Sequence, residues 1–535
     1  MTNWPKELVD TIRLAVSGET MAPVNGLFSI ERSRPHGHVQ AVLGTIKKLG
    51  LDSLIASKQC RERDLVLAMI SQCIIAPSSK PATTREWHEA TLARELGVED
   101  ADENELYSAM DWLLKRQRRI ENKLAKRHLC DGGVVLYDLT SSSYHGLRCP
   151  LAAFGHNRDG NKKLRCIVYG LMADAQGRPV SVDVYKGNTA DPSTVPDQVD
   201  KLRNRFGFSR VVLVGDRGML TDTQIDKLRE YPGIGWLSAL HSRGIRSLVD
   251  GEALQLSLFD RQHLAEIRSA DYPGERLIAC YNPLLAEDRK CTRQELLDAT
   301  ELSFKKIAAE VRRRTNKPLT ADKIGIKVGK VINRCKMGKH FKLKIEDNLF
   351  EYERREESIE RESRLEGIYV LRTSEPAKQL SKEDTVRTYK GLSQVERAFR
   401  CLKGVDLHVR PIRHRTVDHV RAHVFLCTLA YYVEWHMRKA LAPVLFEDEQ
   451  FDAVRATRNP VLKAEPSHCV KDKKAMRTTP DGRPFQSFRT LINNLGTRCR
   501  NQCRAGNDKT GVTFYQLTEP TPLQTHIFEL LGLKP

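Results

Sequence analysis

Val134-Val-Leu-Tyr-Asp138 and Val211-Val-Leu-Val-Gly-Asp216 decide the fold of this chain. Each is a short apolar run rich in β-branched residues, the composition of a buried strand, and each delivers one aspartate. A carboxylate within an apolar strand is costly to bury without a partner or a metal. The competing reading makes Asp138 a strand-end residue that caps the turn into Thr140-Ser-Ser-Ser143. For Asp216 the competing role is a helix N-cap, but the next helical stretch begins only near Thr221. Gly215 and Gly218 flank Asp216 and allow close backbone approach, and open α/β sheets bind ligands at the carboxyl ends of their strands.

Around these two runs the periodicity gives a succession of elements. Gly132–Ser141, Leu164–Asp174 and Arg178–Lys186 read as strands, the last two joined by the turn Ala175-Gln-Gly-Arg178. A helix near Pro196–Arg205, a strand Arg210–Gly215, a helix Thr221–Glu230 and a strand Gly235–Leu240 follow. The order β-β-β-α-β-α-β predicts a mixed α/β sheet with helices on its faces. Residues 1–130 read as a helical N-terminal domain for DNA binding or assembly, with periodic stretches at Val39–Leu49, Arg63–Ile70 and Leu106–His128. The first part of the core would then occupy 131–245 and the second 366–445, entered by the strand Gly367–Thr373.

Residues 246–365 interrupt that rhythm and read as a basic, β-rich insertion. Strand-like alternation appears at Leu254–Phe259, Leu264–Arg268 and Leu277–Tyr281, followed by a charged helix Arg293–Arg314. Lys323–Lys344 carries eight cations and no acid, interleaved with Ile, Val and Phe at strand-like spacing. A basic β surface laid along a phosphodiester backbone is the reading, with Lys327, Lys330, Arg334, Lys336 and Lys339 as DNA contacts; a solvated loop is the alternative. Residues 446–535 form a basic C-terminal region of weak periodicity, whose role the sequence does not reveal.

A third chemistry-bearing segment lies at Tyr389, Glu396 and Lys403. Steps of seven residues are about two helical turns, so a helix over Thr385–Lys403 would set all three on one face. The competing reading makes Ser393-Gln-Val-Glu396 a capping box and leaves Tyr389 before the helix. Together with Asp138 and Asp216, Glu396 would complete the carboxylate set that a two-metal phosphoryl-transfer site requires.

The 535 residues exceed one compact core, so three or four domains are expected. The formal charge of +19 favours a polyanionic partner, nucleic acid above all; a generically basic protein is the bland alternative. The 13 scattered cysteines read as reduced thiols, and Cys499 and Cys503 lack a second ligand pair. No secretory leader is legible, and Ala422–Tyr432, the most apolar stretch, is shorter than the roughly 20 residues a bilayer span needs. A soluble cytoplasmic protein is expected. No P-loop, GxGxxG or Ser-His-Asp arrangement appears. His156, Asn157, Arg158, Lys162 and Arg410-Pro-Ile-Arg-His-Arg415 are polar or basic clusters that could approach DNA or simply be solvated.

The order of these elements and carboxylates resembles the RNase H-like fold of DDE transposases. The Tyr389, Glu396, Lys403 spacing is similar to the Y-R-E-K signature of bacterial insertion-sequence transposases of family four and its relatives. The resemblance covers roughly residues 25–440. It implies that Asp138, Asp216 and Glu396 hold two Mg²⁺ ions, with Mn²⁺ substituting. It implies cleavage at element ends and strand transfer into target DNA, with Tyr389 and Lys403 on the terminal phosphate. It also implies terminal inverted repeats as partners, a homodimer on paired ends and a nucleoid-associated bacterial location. The signature arginine falls on Leu392 here, which leaves Arg397 or Arg400 to replace it. A structure-selective nuclease on the same scaffold and a catalytically dead DNA-binding protein are the competing functions.

Overall fold

The computed structural model describes residues 4–18, 28–260, 262–404, 406–462, 464–478, 482–505 and 512–535. Its centre is an eight-stranded mixed sheet. Strand β1 (Phe28–Pro35) lies elsewhere; the sheet begins with β2 (Val134–Ser143), β3 (Cys166–Asp174) and β4 (Pro179–Lys186), an antiparallel meander. β5 (Val211–Val214) and β6 (Ile234–Ala239) then add in parallel beside β2, which gives the order β4-β3-β2-β5-β6. Three antiparallel strands followed by two parallel ones on the other side of the first make an RNase H-like mixed α/β core. β5 is Val-Val-Leu-Val and buried throughout, as a parallel strand covered on both faces must be.

The sheet continues beyond those five strands. β7 (Leu264–Ile267), β8 (Arg276–Tyr281) and β11 (Ile368–Thr373) extend it antiparallel in the order β6-β11-β8-β7. The segment after residue 246 therefore stays within the core sheet until Tyr281, and the excursion proper runs from the helix Pro283–Arg313 to β11.

That excursion is mainly helical, which corrects the expectation of a β-rich insertion. It holds the helices Pro283–Arg313 and Ala321–Cys335, then one hairpin of β9 (Phe341–Glu346) and β10 (Leu349–Arg354). Leu254–Phe259, expected as a strand, is a 3₁₀ turn over Leu256–Asp260. In Lys323–Lys344 the alternation of Ile324, Ile326 and Val328 suggested a strand. The buried set is instead Ile324, Val328, Val331 and Cys335, at helical spacing, while Ile326 is 60% exposed. The excursion has its own core, in which Phe304 meets Phe341, Phe350 and Tyr352 at ring distances of 5.3–5.5 Å.

The N-terminal region is helical over Gly37–Lys48, Arg61–Ile75 and Glu103–His128, the last opened by a capping box at Asp102 and Glu105. These helices pack on Val417–Ala440, a helix buried along most of its length. The C-terminal region joins them. β12 (Cys499–Ala505) pairs with β1 on one side and β13 (Thr513–Leu517) on the other, and the helix Phe488–Gly496 lies on Gly37–Lys48. The weak periodicity at the C-terminus reflects short elements whose apolar partners come from the other end of the chain. No single helix among the described residues is long and apolar enough to cross a membrane.

Candidate active site

β2 and β5 run in parallel with a constant offset, Val134 beside Val212 and Leu136 beside Val214. The same offset of 78 separates Asp138 from Asp216, which follows two residues after the end of β5, in the turn beyond it. Both carboxylates line the same cleft. Asp138 accepts the Leu139 N–H at 2.8 Å, and Asp216 accepts the Met219 N–H at 2.8 Å in the turn that follows β5.

The third carboxylate comes from a helix laid across β2. Leu392–Lys403 buries Leu392, Val395, Ala398, Phe399 and Leu402 and leaves Glu396 and Arg400 exposed. Phe399 meets Tyr169 of β3 edge to face at 5.9 Å, which fixes the helix over the sheet. The capping box read at Ser393 is not formed: the Ser393 hydroxyl donates to the Lys390 carbonyl at 2.7 Å. Lys382–Lys390 and Leu392–Lys403 instead follow one another through Gly391, whose backbone is right-handed helical. A Cβ there would stand 2.7 Å from the Thr388 carbonyl, so the glycine lets the helix pass this point.

Asp138, Asp216 and Glu396 line one cleft of about 580 Å³ together with Arg158, Arg400 and Lys403. Among the described residues, none of the three carboxylates forms an ion pair. Burial pushes the Asp138 carboxyl up to about 7; the Leu139 N–H and Arg158 oppose this, while the charges of Asp216 and Glu396 add to it. Tyr389 is half-buried beside the same acids. Burial, then Asp216, raises its phenol to about 12, against the pull of Arg217.

Lys403 closes the cleft from the end of the Glu396 helix. Its ammonium donates to the Ser141 carbonyl at 2.5 Å and to Asp159 at 3.1 Å. Asp159 also pairs with Arg410 at 2.7 Å and accepts the Ser143 N–H at 2.8 Å. Burial raises the Asp159 carboxyl, but that N–H and the two cations outweigh it and hold it below the usual carboxylate range. Burial lowers Lys403, which Asp159 partly offsets. The sequence reading missed Asp159 as the organiser of Lys403 and Arg410. No spacing announces it, because it reaches β2 only when its loop folds back, tied by Asn157 to Ser143 and to the Asn161 and Leu164 carbonyls.

Of the two candidates for the signature arginine, Arg400 lines the cleft, while Arg397 pairs with Glu447 at 2.7 Å. The five cations expected to contact DNA from the excursion stand apart from this cleft. Lys327 pairs with Glu310 and Lys339 with Glu362, Arg334 donates to Ser303, and Lys336 donates to Asn333. Lys330 forms no such contact among the described residues.

The uncompensated carboxylates, gathered in one cleft, fit hard divalent cations. Their oxygens do not close to the 4.8 Å mutual spacing of a one-ion cage. Among the described residues that spacing occurs only for Cys401, Asp406 and Glu434. There the Arg438 guanidinium already binds Glu434 at 2.6 Å and Asp406 at 3.1 Å, so a cation occupies the place an ion would take.

Comparison with known proteins bears on the same residues. No curated protein matches the sequence. Among solved structures, a cryo-EM structure of piggyBac transposase in a synaptic complex with hairpin DNA aligns at a TM-score of 0.35 and 9% identity. It covers 86% of this chain and 76% of that one, a likeness too loose to carry an argument. The family model described as "Transposase DDE domain" matches residues 130–433, which include the whole cleft. That match spans more than half of the 535 residues, so the chain belongs to the DDE transposase family and is a DNA transposase, a polynucleotidyl transferase.

Proposed function

We propose that Asp138, Asp216 and Glu396 are the catalytic, metal-holding residues, and that the protein cuts the ends of its element and joins them to target DNA. The observation that carries this reading is the register of β2 and β5, which sets Asp138 beside Asp216 under the Glu396 helix. Mg²⁺, or Mn²⁺ in its place, bound there would supply activation of the attacking oxygen and stabilisation of the leaving one.

The chain's own groups do the rest. Lys403 and Arg410, both fixed by Asp159, present positive charge at one end of the cleft and take phosphate oxygens of the transferred strand. Tyr389, kept protonated by burial and by the acids beside it, donates a hydrogen bond. Arg158 and Arg400 flank the carboxylates, and Arg400 serves in place of the signature arginine absent at Leu392. Membership of the Y-R-E-K group, a bacterial nucleoid-associated location, terminal inverted repeats as the DNA partner and a homodimer on paired ends complete the proposal. So does a division of labour in which residues 1–130 assemble with the C-terminal region and the excursion after Tyr281 reaches along the DNA through Lys330 and its neighbours.

The test is cleavage of DNA from either side of the coding region in Mg²⁺, wild type beside Asp216→Asn. Cuts at repeat boundaries that become joined to a target plasmid, and vanish in the variant, support the proposal. Cutting without joining favours the nuclease, and binding without cutting removes the catalytic reading.

A further inference from the structure

The catalytic cleft does not end at Lys403. A neighbouring cavity, bounded by Ser143 and His145, shares Asp159, Lys403 and Arg410 with it. That cavity shares His408, Arg410 and Pro411 in turn with a larger one of about 780 Å³. The larger one lies between residues 77–81, where the helix Lys80–Glu86 begins, the helix Glu103–His128 and the start of the helix Val417–Ala440. Arg410 is common to all three, so they form one trough running from the carboxylates to the N-terminal region.

The far cavity is strongly positive. Lys80 lines it and is only 5% exposed, yet its ammonium has no hydrogen-bond or ion-pair partner among the described residues. The fold holds this side chain in place and leaves its charge without an acceptor. Its surroundings add to the positive charge. Arg413 and Arg415 line the same space and form no ion pair among the described residues, and Glu103 is the one carboxylate in the lining. Burial, followed by the charges of His423 and Lys80, lowers the His414 ring to about 2, and burial with the charge of Lys80 lowers His423 to about 4. The 24-residue helix Val417–Ala440, capped by Thr416, begins at this cavity and adds the positive end of its dipole. The volume holds more than one phosphate group, and the trough offers a continuous route for a strand lying in the cleft.

We propose that this cavity is a second phosphate subsite, in which Lys80, Arg413 and Arg415 grip the DNA backbone away from the bond addressed by Asp138, Asp216 and Glu396. The proposal rests on that reading of the cleft and extends it. The occupant is a phosphodiester strand rather than a free anion, because the cavity opens into the trough instead of standing alone.

The experiment uses the full chain and a short fluorescent duplex from the flank of its coding region. Ca²⁺ replaces Mg²⁺ to hold cleavage back, and affinity is read over a salt series. For Lys80→Met, and separately for the surface pair Arg413→Gln with Arg415→Gln, the slope of log affinity against log salt should become shallower by about one per cation removed. The dissociation constant should rise about tenfold at physiological salt. An unchanged slope in a folded Lys80→Met protein overturns the proposal. Should that variant not fold, an unchanged slope in the arginine pair does the same. Inorganic phosphate is titrated by thermal shift in parallel: if Lys80→Met loses only that stabilisation, the cavity holds a free anion and the DNA subsite is refuted. Failure of the catalytic reading is visible separately. Asp216→Asn would then cut like the wild type, whereas loss of the subsite alone leaves Asp216→Asn inactive and the slopes untouched.

Discussion

The cleft of Asp138, Asp216 and Glu396 and the helical excursion are both densely charged, and they treat that charge in opposite ways. In the excursion, Lys327 meets Glu310, Lys339 meets Glu362, Arg354 meets Asp298 and Glu301, and Arg293 meets Glu366. Among the described residues, the three carboxylates of the cleft have no cation paired to them, and in the adjoining trough Lys80, Arg413 and Arg415 have no anion. Charge that the fold neutralises internally supports the fold; charge left open, and held in place by other groups, marks where ligands belong. A count of lysines along the sequence makes the excursion the obvious DNA surface. The pairing of those lysines moves the emphasis to the trough.

Four measurements test this contrast. The largest effect is expected at the open carboxylates. Asp216→Asn should lower single-turnover cleavage by about 10³-fold or more while leaving DNA affinity within a few-fold, since it removes an ion ligand and no phosphate contact. Residual cleavage near the wild-type rate would dissolve the special status of the cleft.

Next in size is the organiser of the cleft. Asp159→Asn leaves Lys403 and Arg410 without their shared anion, and cleavage should fall about 10–100-fold, as for groups that orient ligands. Its role as a positioning residue predicts a fall in kcat with KM little changed. A loss confined to the melting temperature would make Asp159 merely structural.

The third measurement is pH-dependent. Asp138 is raised to about 7 from an ordinary value of 3.8, and metal binding needs it ionised. Mn²⁺ affinity by calorimetry should therefore weaken by about tenfold per pH unit below 7 and level off above it. The sign for stability is the reverse. The raised group favours the folded state fully below its unfolded value near 4, and that contribution is lost as pH rises through 7. Asp138→Asn should thus stabilise the metal-free protein at pH 8, by about 2 kcal/mol after allowance for the open cleft, and leave it unaltered near pH 4. Equal melting shifts at both pH values would refute the assignment.

The smallest effect should come from the excursion. Lys327→Gln removes one half-exposed ion pair, so stability should drop by about 0.5 kcal/mol and DNA affinity by less than twofold. A tenfold loss of affinity would restore the excursion as the principal DNA surface.

Much of the fold was legible because its signals are local. The five core strands and the helix Val417–Ala440 emerged from runs of apolar residues whose period is set by the backbone itself. Ala321–Cys335 was misread because Ile324, Ile326 and Val328 satisfy a two-residue period as well as Ile324, Val328 and Val331 satisfy a helical one. Only the neighbours that bury one set decide between them. The strand partners of β1 and β12, 466 residues apart at Arg34 and Arg500, likewise have no local signature.

The amino-acid order by itself determined which carboxylates stand at strand positions and that Tyr389, Glu396 and Lys403 recur at two-turn spacing, since both follow from periods of the chain. The tertiary structure alone decided that the 78-residue interval between Asp138 and Asp216 equals the register offset of β2 and β5. It alone decided that Asp159 gathers Lys403 and Arg410, and that Lys80 is buried beside Arg413 and Arg415. Proximity between residues far apart in the chain depends on how the packed elements close, and charge acquires a partner, or is left without one, only once they have.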